Sequence, residues 1–282
     1  MATRLRGAVV LLLLAMGAGA CMPPSWAANA LLHPQRHPLY RQPNRPVDAV
    51  EFEGAGVKLK GWWFHAPTKR GTVVVLHGVS DNRASSVGIA DHFLARGFDV
   101  IAYDSRAHGE SEGDVCTYGF YEKEDLRRVL DRVDTKPIVL MGFSLGAAVA
   151  LQAAAADRRI AAVMAVSPFS DLRTVGSERA PFFASKGNIS DAFKLAEDEG
   201  KFRADDVSPM AAAAHITAPT LTIHGARDDE TPPAHSQRIF AALRGPKRLI
   251  LVPNGDHHHV IDAGVWREID SWLDAALAPR AP

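Results

Sequence analysis

Six segments of this chain are almost unbroken apolar runs: "TVVVLHG" (72–78), "FDVIAYD" (98–104), "PIVLMGF" (137–143), "AAVMAVS" (161–167), "PTLTIHG" (219–225) and "RLILVPN" (248–254). Each is too short for a buried helix and rich in β-branched residues. Strands of this kind are covered on both faces, as in a parallel sheet.

Helical patterns separate the runs. In "YEKEDLRRVLDRV" (121–133), Leu126, Val129, Leu130 and Val133 form one stripe and the charges lie opposite. "SSVGIADHFLARG" and "AHSQRIFAALRG" have the glycines Gly97 and Gly245 as expected stops. "GVWREIDSWLDAAL" puts Val265, Ile269, Trp272 and Leu273 on one face. This alternation predicts an α/β class with a mostly parallel central sheet and helices on both faces. Ahead of it, "AVEFEG" and "VKLKGWWFH" predict an antiparallel pair of strands. Between Ser170 and Pro219 no strand is evident. That interval is expected to carry a short helical lid over about 174–212, with Phe182, Phe183 and Phe193 on an apolar underside.

The 282 residues include 32 basic and 32 acidic ones, so no polyanion-binding surface is announced and nucleic acid is not an expected partner. The start of the chain has the order of an export signal over residues 1–20. Arg4 and Arg6 come first, then an apolar run from Ala8 to Ala15, then small residues from Gly17 to Ala20. "AGAC" resembles a bacterial lipobox, with Ala18 where Leu is usual, and makes Cys21 a lipidation candidate that would anchor the chain to a membrane. Ordinary cleavage after Ala27 or Ala30 is the alternative, giving a soluble exported form. Residues 21–46 read as a tether, 47–275 as the folded domain and 276–282 as a tail. The only cysteines are Cys21 and Cys116, so with Cys21 lipidated or removed no internal disulfide is available, and Cys116 is expected to be a half-buried, incidental thiol.

Gly142-Phe143-Ser144-Leu145-Gly146 stands where a predicted strand meets a predicted helix. A serine on so sharp a turn projects its hydroxyl from the carboxyl end of a parallel sheet, where such sheets bind ligands. The N–H of Leu145, opening the helix, would face a developing oxyanion. Alone, the G-x-S-x-G pattern also fits a helix start rich in small residues. A serine nucleophile needs a base, and the base needs an orienting acid. After the run at 219–225 come Asp228 and Asp229; after the run at 248–254 come His257, His258 and His259. Adjacent histidines in a loop rarely aim at one point, so no metal site is expected there. Nor is there a dinucleotide fingerprint or phosphate loop, and no cofactor is expected.

Several linked segments together carry a resemblance. "VVLHGVSDNR", "YDSRAHGESEG", "MGFSLGA", "SPFSDL", "IHGARDDETP" and "PNGDHH" occur in this order across about 47–275. They are similar to the motifs of α/β-hydrolase serine enzymes, in particular exported esterases and prolyl-oligopeptidase-like hydrolases. The resemblance implies the α/β-hydrolase fold with a nucleophile elbow. It implies Ser144 as nucleophile, Asp228 as acid, His257 as base, and backbone N–H groups of Val79 and Leu145 as the oxyanion hole. It leaves Asp104, Arg106, His108, His77 and His224 as loop-fixing residues. The expected substrate is a small-molecule carboxylic ester, with an amide or short peptide as the next reading. Acyl transfer by the same triad, or a non-catalytic binding protein of this fold, are the other readings.

Overall fold

A computed structural model describes residues 23–279. Eight strands form one sheet in the order β1-β2-β4-β3-β5-β6-β7-β8. β1 (Asp48–Glu53) and β2 (Lys58–Phe64) are antiparallel, and β2 also runs antiparallel to β4 (Phe98–Tyr103). From β4 onward the sheet is parallel, through β3 (Gly71–Leu76), β5 (Ile138–Phe143), β6 (Ile160–Val166), β7 (Thr220–Gly225) and β8 (Lys247–Val252). All six apolar runs are therefore strands, each within two residues of the expected bounds.

Side-chain alternation along the strands divides the core in two. Val74 and Leu76 of β3 face α3 (Glu122–Leu130), α4 (Leu145–Ala154) and α8 (Ala234–Ala242). Val73 and Val75 face α2 (Val87–Ala95) and α9 (Ala263–Leu277). A run without polar interruption is what two buried faces require. Leu126, Val129 and Leu130 form the buried stripe of α3, as their spacing predicts. Gly97, at φ +83°, ends α2 in the left-handed region, as expected. Gly245 does not act this way: α8 ends at Ala242, and Leu243 turns the chain out with an extended ψ of 134°.

A third apolar cluster lies off the sheet. It joins α1 (Pro24–Leu32) to α5 (Leu172–Glu178) and α6 (Lys186–Gly200) through Ala28, Leu32, Leu172, Val175, Phe193 and Ala196. The expected insertion is thus helical, made of α5, α6 and α7 (Pro209–Ala213). Its aromatics divide: Phe193 is buried, Phe183 is part-exposed, and Phe182 is fully exposed rather than on an underside.

The segment read as a tether differs more. Its described part begins with helix α1, followed by an extended arm bound to the domain. His33 meets Asp114 O and Glu199, and Arg36 donates to Ser111 O. Asn82 Nδ2–H donates to His37 O at 3.0 Å, and Arg45 pairs with Asp91 at 2.7 Å. The apolar content of "SWAANALL" finds a partner in α6, and a covered helix is favoured over a solvated chain. The signal-like segment 1–20 and Cys21 lie outside the described residues. Among the described residues no helix is long and apolar enough to cross a membrane.

Candidate active site

Ser144 stands between β5 and α4 with φ 49° and ψ −108°, a strained conformation for a residue with a side chain. Its neighbours explain why the chain tolerates it. A Cβ on Gly142 would lie 2.2 Å from Gly146 O, and one on Gly146 would lie 2.3 Å from Leu76 O. Only glycines permit that crossing of β5, α4 and β3. The Ser144 N–H donates to Val166 O at 2.8 Å, fixing the turn to the end of β6.

The loops after β7 and β8 bring the partners in. The Ser144 hydroxyl donates to His257 Nε2 at 3.1 Å, and His257 Nδ1–H donates to Asp228 Oδ2 at 2.7 Å. Asp228 Oδ1 accepts the N–H groups of Thr231 at 2.8 Å and Glu230 at 3.1 Å. Burial pushes the Asp228 carboxyl up. Hydrogen bonding from His224, His257 and the Thr231 N–H outweighs that and holds it well below the usual carboxylate range. His257 is thereby held with Nδ1 protonated and Nε2 free to accept.

The neighbouring candidates point elsewhere. Asp229 is exposed. His258 is bound to Glu230 at 2.9 Å on the surface, and His259 to Asp256 at 3.1 Å. Among the described residues no group of three His, Cys, Asp or Glu side chains could hold a metal ion. Cys116 is fully buried rather than half-buried, and burial pushes its thiol well up.

Backbone donors flank Ser144 on two sides. Leu145 opens α4, so its N–H has no partner within the helix and lies at the positive end of the helix dipole. Gly78 sits against the serine, with a Cβ there only 3.7 Å from Ser144 Cβ. His77 controls the next peptide. Its Nε2 accepts the Ser105 N–H at 3.0 Å, so Nδ1 carries the proton and donates to Gly78 O at 2.7 Å. In a trans peptide the N–H of Val79 points opposite to that carbonyl. His77 thus orients the Val79 N–H.

Asp104, Arg106 and His108 hold the loop after β4. Asp104 accepts the N–H groups of Arg83 and Glu110, and Arg106 forms a two-pronged pair with Asp125 at 2.7 and 2.8 Å. A second Ser–His–acid set joins α5 to α8. Ser170 Oγ lies 2.8 Å from His235 Nδ1, and His235 Nε2–H donates to Glu178 at 2.7 Å. Ser170 and His235 are fully buried, and neither lines the cavity that opens over Ser144. The set fastens α5 in place.

A cavity of about 490 Å³ opens over Ser144 and His257, with Gly78, Val79, Ser167 and His258 in its walls. Tyr40 also lines it, from the arm that the sequence places outside the domain. Tyr40 and Arg179, which donates to Glu230 O at 2.9 Å, are residues that sequence reading does not find. Neither lies in a motif.

The model of the alpha/beta hydrolase fold family matches residues 71–186. The uncharacterized protein YqkD of Bacillus subtilis is 35% identical over 215 residues, covering 72% of this chain and 70% of that one. YfhR of Escherichia coli, also uncharacterized, is 28% identical over 91% of this chain and 90% of its own length. Among solved structures, the Pyrococcus furiosus esterase Pf2001 superposes with a TM-score of 0.69 at 25% identity, covering 88% of this chain and 97% of that one. Sheet order, strained serine turn and these likenesses agree, and the chain belongs to the α/β-hydrolase fold family.

Proposed function

We propose that the protein is a serine hydrolase that cleaves carboxylic esters through an acyl-enzyme. The observation that carries this reading is the hydrogen-bonded series Ser144–His257–Asp228 at the mouth of a cavity. Ser144 Oγ attacks the carbonyl carbon while His257 Nε2 takes its proton. Asp228 stabilises the imidazolium that forms. The N–H groups of Val79 and Leu145 receive the oxyanion. His257 then protonates the leaving alcohol, and water, activated by the same nitrogen, releases the acid. The description of the Pyrococcus protein as an esterase supports an ester over an amide.

The test is labelling by a fluorophosphonate together with a panel of chromogenic esters. The wild type is expected to label at Ser144 and to turn over at least one ester. Ser144→Ala should abolish labelling and lower turnover by about 10³–10⁶-fold with folding intact. Labelling that persists at another serine would overturn the assignment.

The reading extends to location. Residues 1–20 act as an export signal, and a lipid on Cys21 anchors the chain. Support comes from the position of α1: it starts at Pro24, just after Cys21, whereas cleavage after Ala27 or Ala30 would cut inside it. The intact mass of the mature protein tests this. A diacylated or triacylated Cys21 terminus is expected, and an unmodified terminus at Ala28 or Leu31 refutes it.

A further inference from the structure

Next to the catalytic cavity lies a second one of about 360 Å³, between α1 and the α5–α6 pair. It falls in the usual range for small-molecule pockets, ~300–1,000 Å³. The two adjoin: Val79, Ser80 and Arg179 stand in the walls of both. The backbone that carries one proposed oxyanion donor is therefore a wall shared by both.

We propose that this second cavity seats an aliphatic arm of the substrate, so that α1 is a wall of the substrate site and the substrate is an ester with an extended alkyl chain. The inference rests on the ester hydrolase reading and adds the class of substrate. The lining is mostly apolar. α1 turns Ala28 and Leu32 into α6, one turn apart, and leaves Ala27, Ala30 and Leu31 facing the cavity. Opposite stand Ala184 and Ile189. The two alanines of α1 are what leave the space open. Arg179, the one charged group among the described residues of the lining, is already engaged, with Nε–H on Glu230 O at 2.9 Å and a terminal N–H on Thr231 Oγ1 at 2.7 Å. A charged arm would lose its hydration there for little in return, whereas an alkyl chain would bury apolar surface against the apolar walls.

An alkyl chain could enter as the acyl or as the alcohol part of the ester. Two substrate series separate these: p-nitrophenyl esters of acids from acetate to decanoate, and acetates of alcohols from ethanol to decanol. In one of the series kcat/KM should rise by up to about fourfold per methylene, the equivalent of ~0.8 kcal/mol, and level off once the cavity is filled. A27W and A30F, which fill the cavity from α1, should each cut the ratio of longest-chain to shortest-chain kcat/KM in that series by at least about tenfold. Circular dichroism and melting curves check that the variants are folded, and A30F serves if A27W is not. A ratio flat with length in both series, or unchanged in both folded variants, overturns the proposal. Calorimetry with n-octanol and n-butanol reads the same cavity without turnover. Tighter binding of octanol, lost in the variants, is expected even if no ester is cleaved, in which case the hydrolase reading alone has failed. Equal binding of the two alcohols would overturn the alkyl pocket.

Discussion

His224 Nε2 lies 3.0 Å from Asp228 Oδ2, the same carboxylate oxygen that accepts the His257 Nδ1–H. His224 also donates to Thr231 O at 2.7 Å, so it ties the acid to its own loop. His224→Gln should lower kcat/KM by up to about 10²-fold through misplacement of Asp228 and His257. The sign of its pH effect follows from the depressed carboxyl. Ionised Asp228 contributes stability that is fully present above about pH 5. It is lost as pH falls through the ordinary carboxylate range toward the lower folded value. Weakening the His224 contact removes part of it, so acid unfolding of the variant should begin at higher pH. An unchanged acid midpoint by circular dichroism would separate His224 from Asp228.

Adjacent residues of one type test the proposed triad sharply. Asp228→Asn should cost about 10⁴-fold in kcat, because the His257 tautomer is no longer held, while Asp229→Asn should leave most activity. His257→Ala should be as damaging as Asp228→Asn or worse. His258→Ala, which loses a surface contact to Glu230, should not. Steady-state kinetics on one good ester decides both pairs.

His77→Ala frees the Gly78–Val79 peptide to rotate. Loss of one proposed oxyanion donor costs at most about 10²–10³-fold in kcat, and KM should change little because such a donor acts on the developing oxyanion more than on the ground-state carbonyl. A rise in KM at unchanged kcat would show that His77 serves substrate binding instead.

His108 is buried with Nδ1–H on Arg106 O at 2.8 Å, and its Nε2 has no partner among the described residues. Burial, with repulsion from His77 second, lowers its pKa to about 3. The fold therefore refuses a proton that the unfolded chain takes near ~6.5. Stability is full above that value and declines as pH falls toward 3. His108→Asn keeps a donor for Arg106 O without the titrating ring. Its Tm should fall less steeply than that of the wild type between about pH 6.5 and 4. Parallel Tm profiles would refute this.

The sheet was legible because its strands are buried on both faces. Burial of that kind demands continuous apolar runs, and these need no partner to be recognised. The turn at Ser144 was legible because its two glycines answer a local steric demand. The distinction between Asp228 and Asp229 was not carried by residue type. It came from motif spacing, and the tertiary structure shows the physical basis: only Asp228 is turned inward, onto His257 and His224.

Local pattern sets the order of elements and the candidates at their ends. Which of those candidates meet depends on how the strands lie side by side. His257 is far along the chain from Ser144, and only the adjacency of β5, β6, β7 and β8 brings their loops together. The same holds for α1. A nine-residue helix is marginal in water, and with the Pro- and Arg-rich stretch that follows it over 33–46 it reads as a tether. It exists because α6, more than 150 residues on, offers Phe193 and Ala196 to cover Ala28 and Leu32. That stabilisation is a long-range apolar contact, which no local pattern encodes.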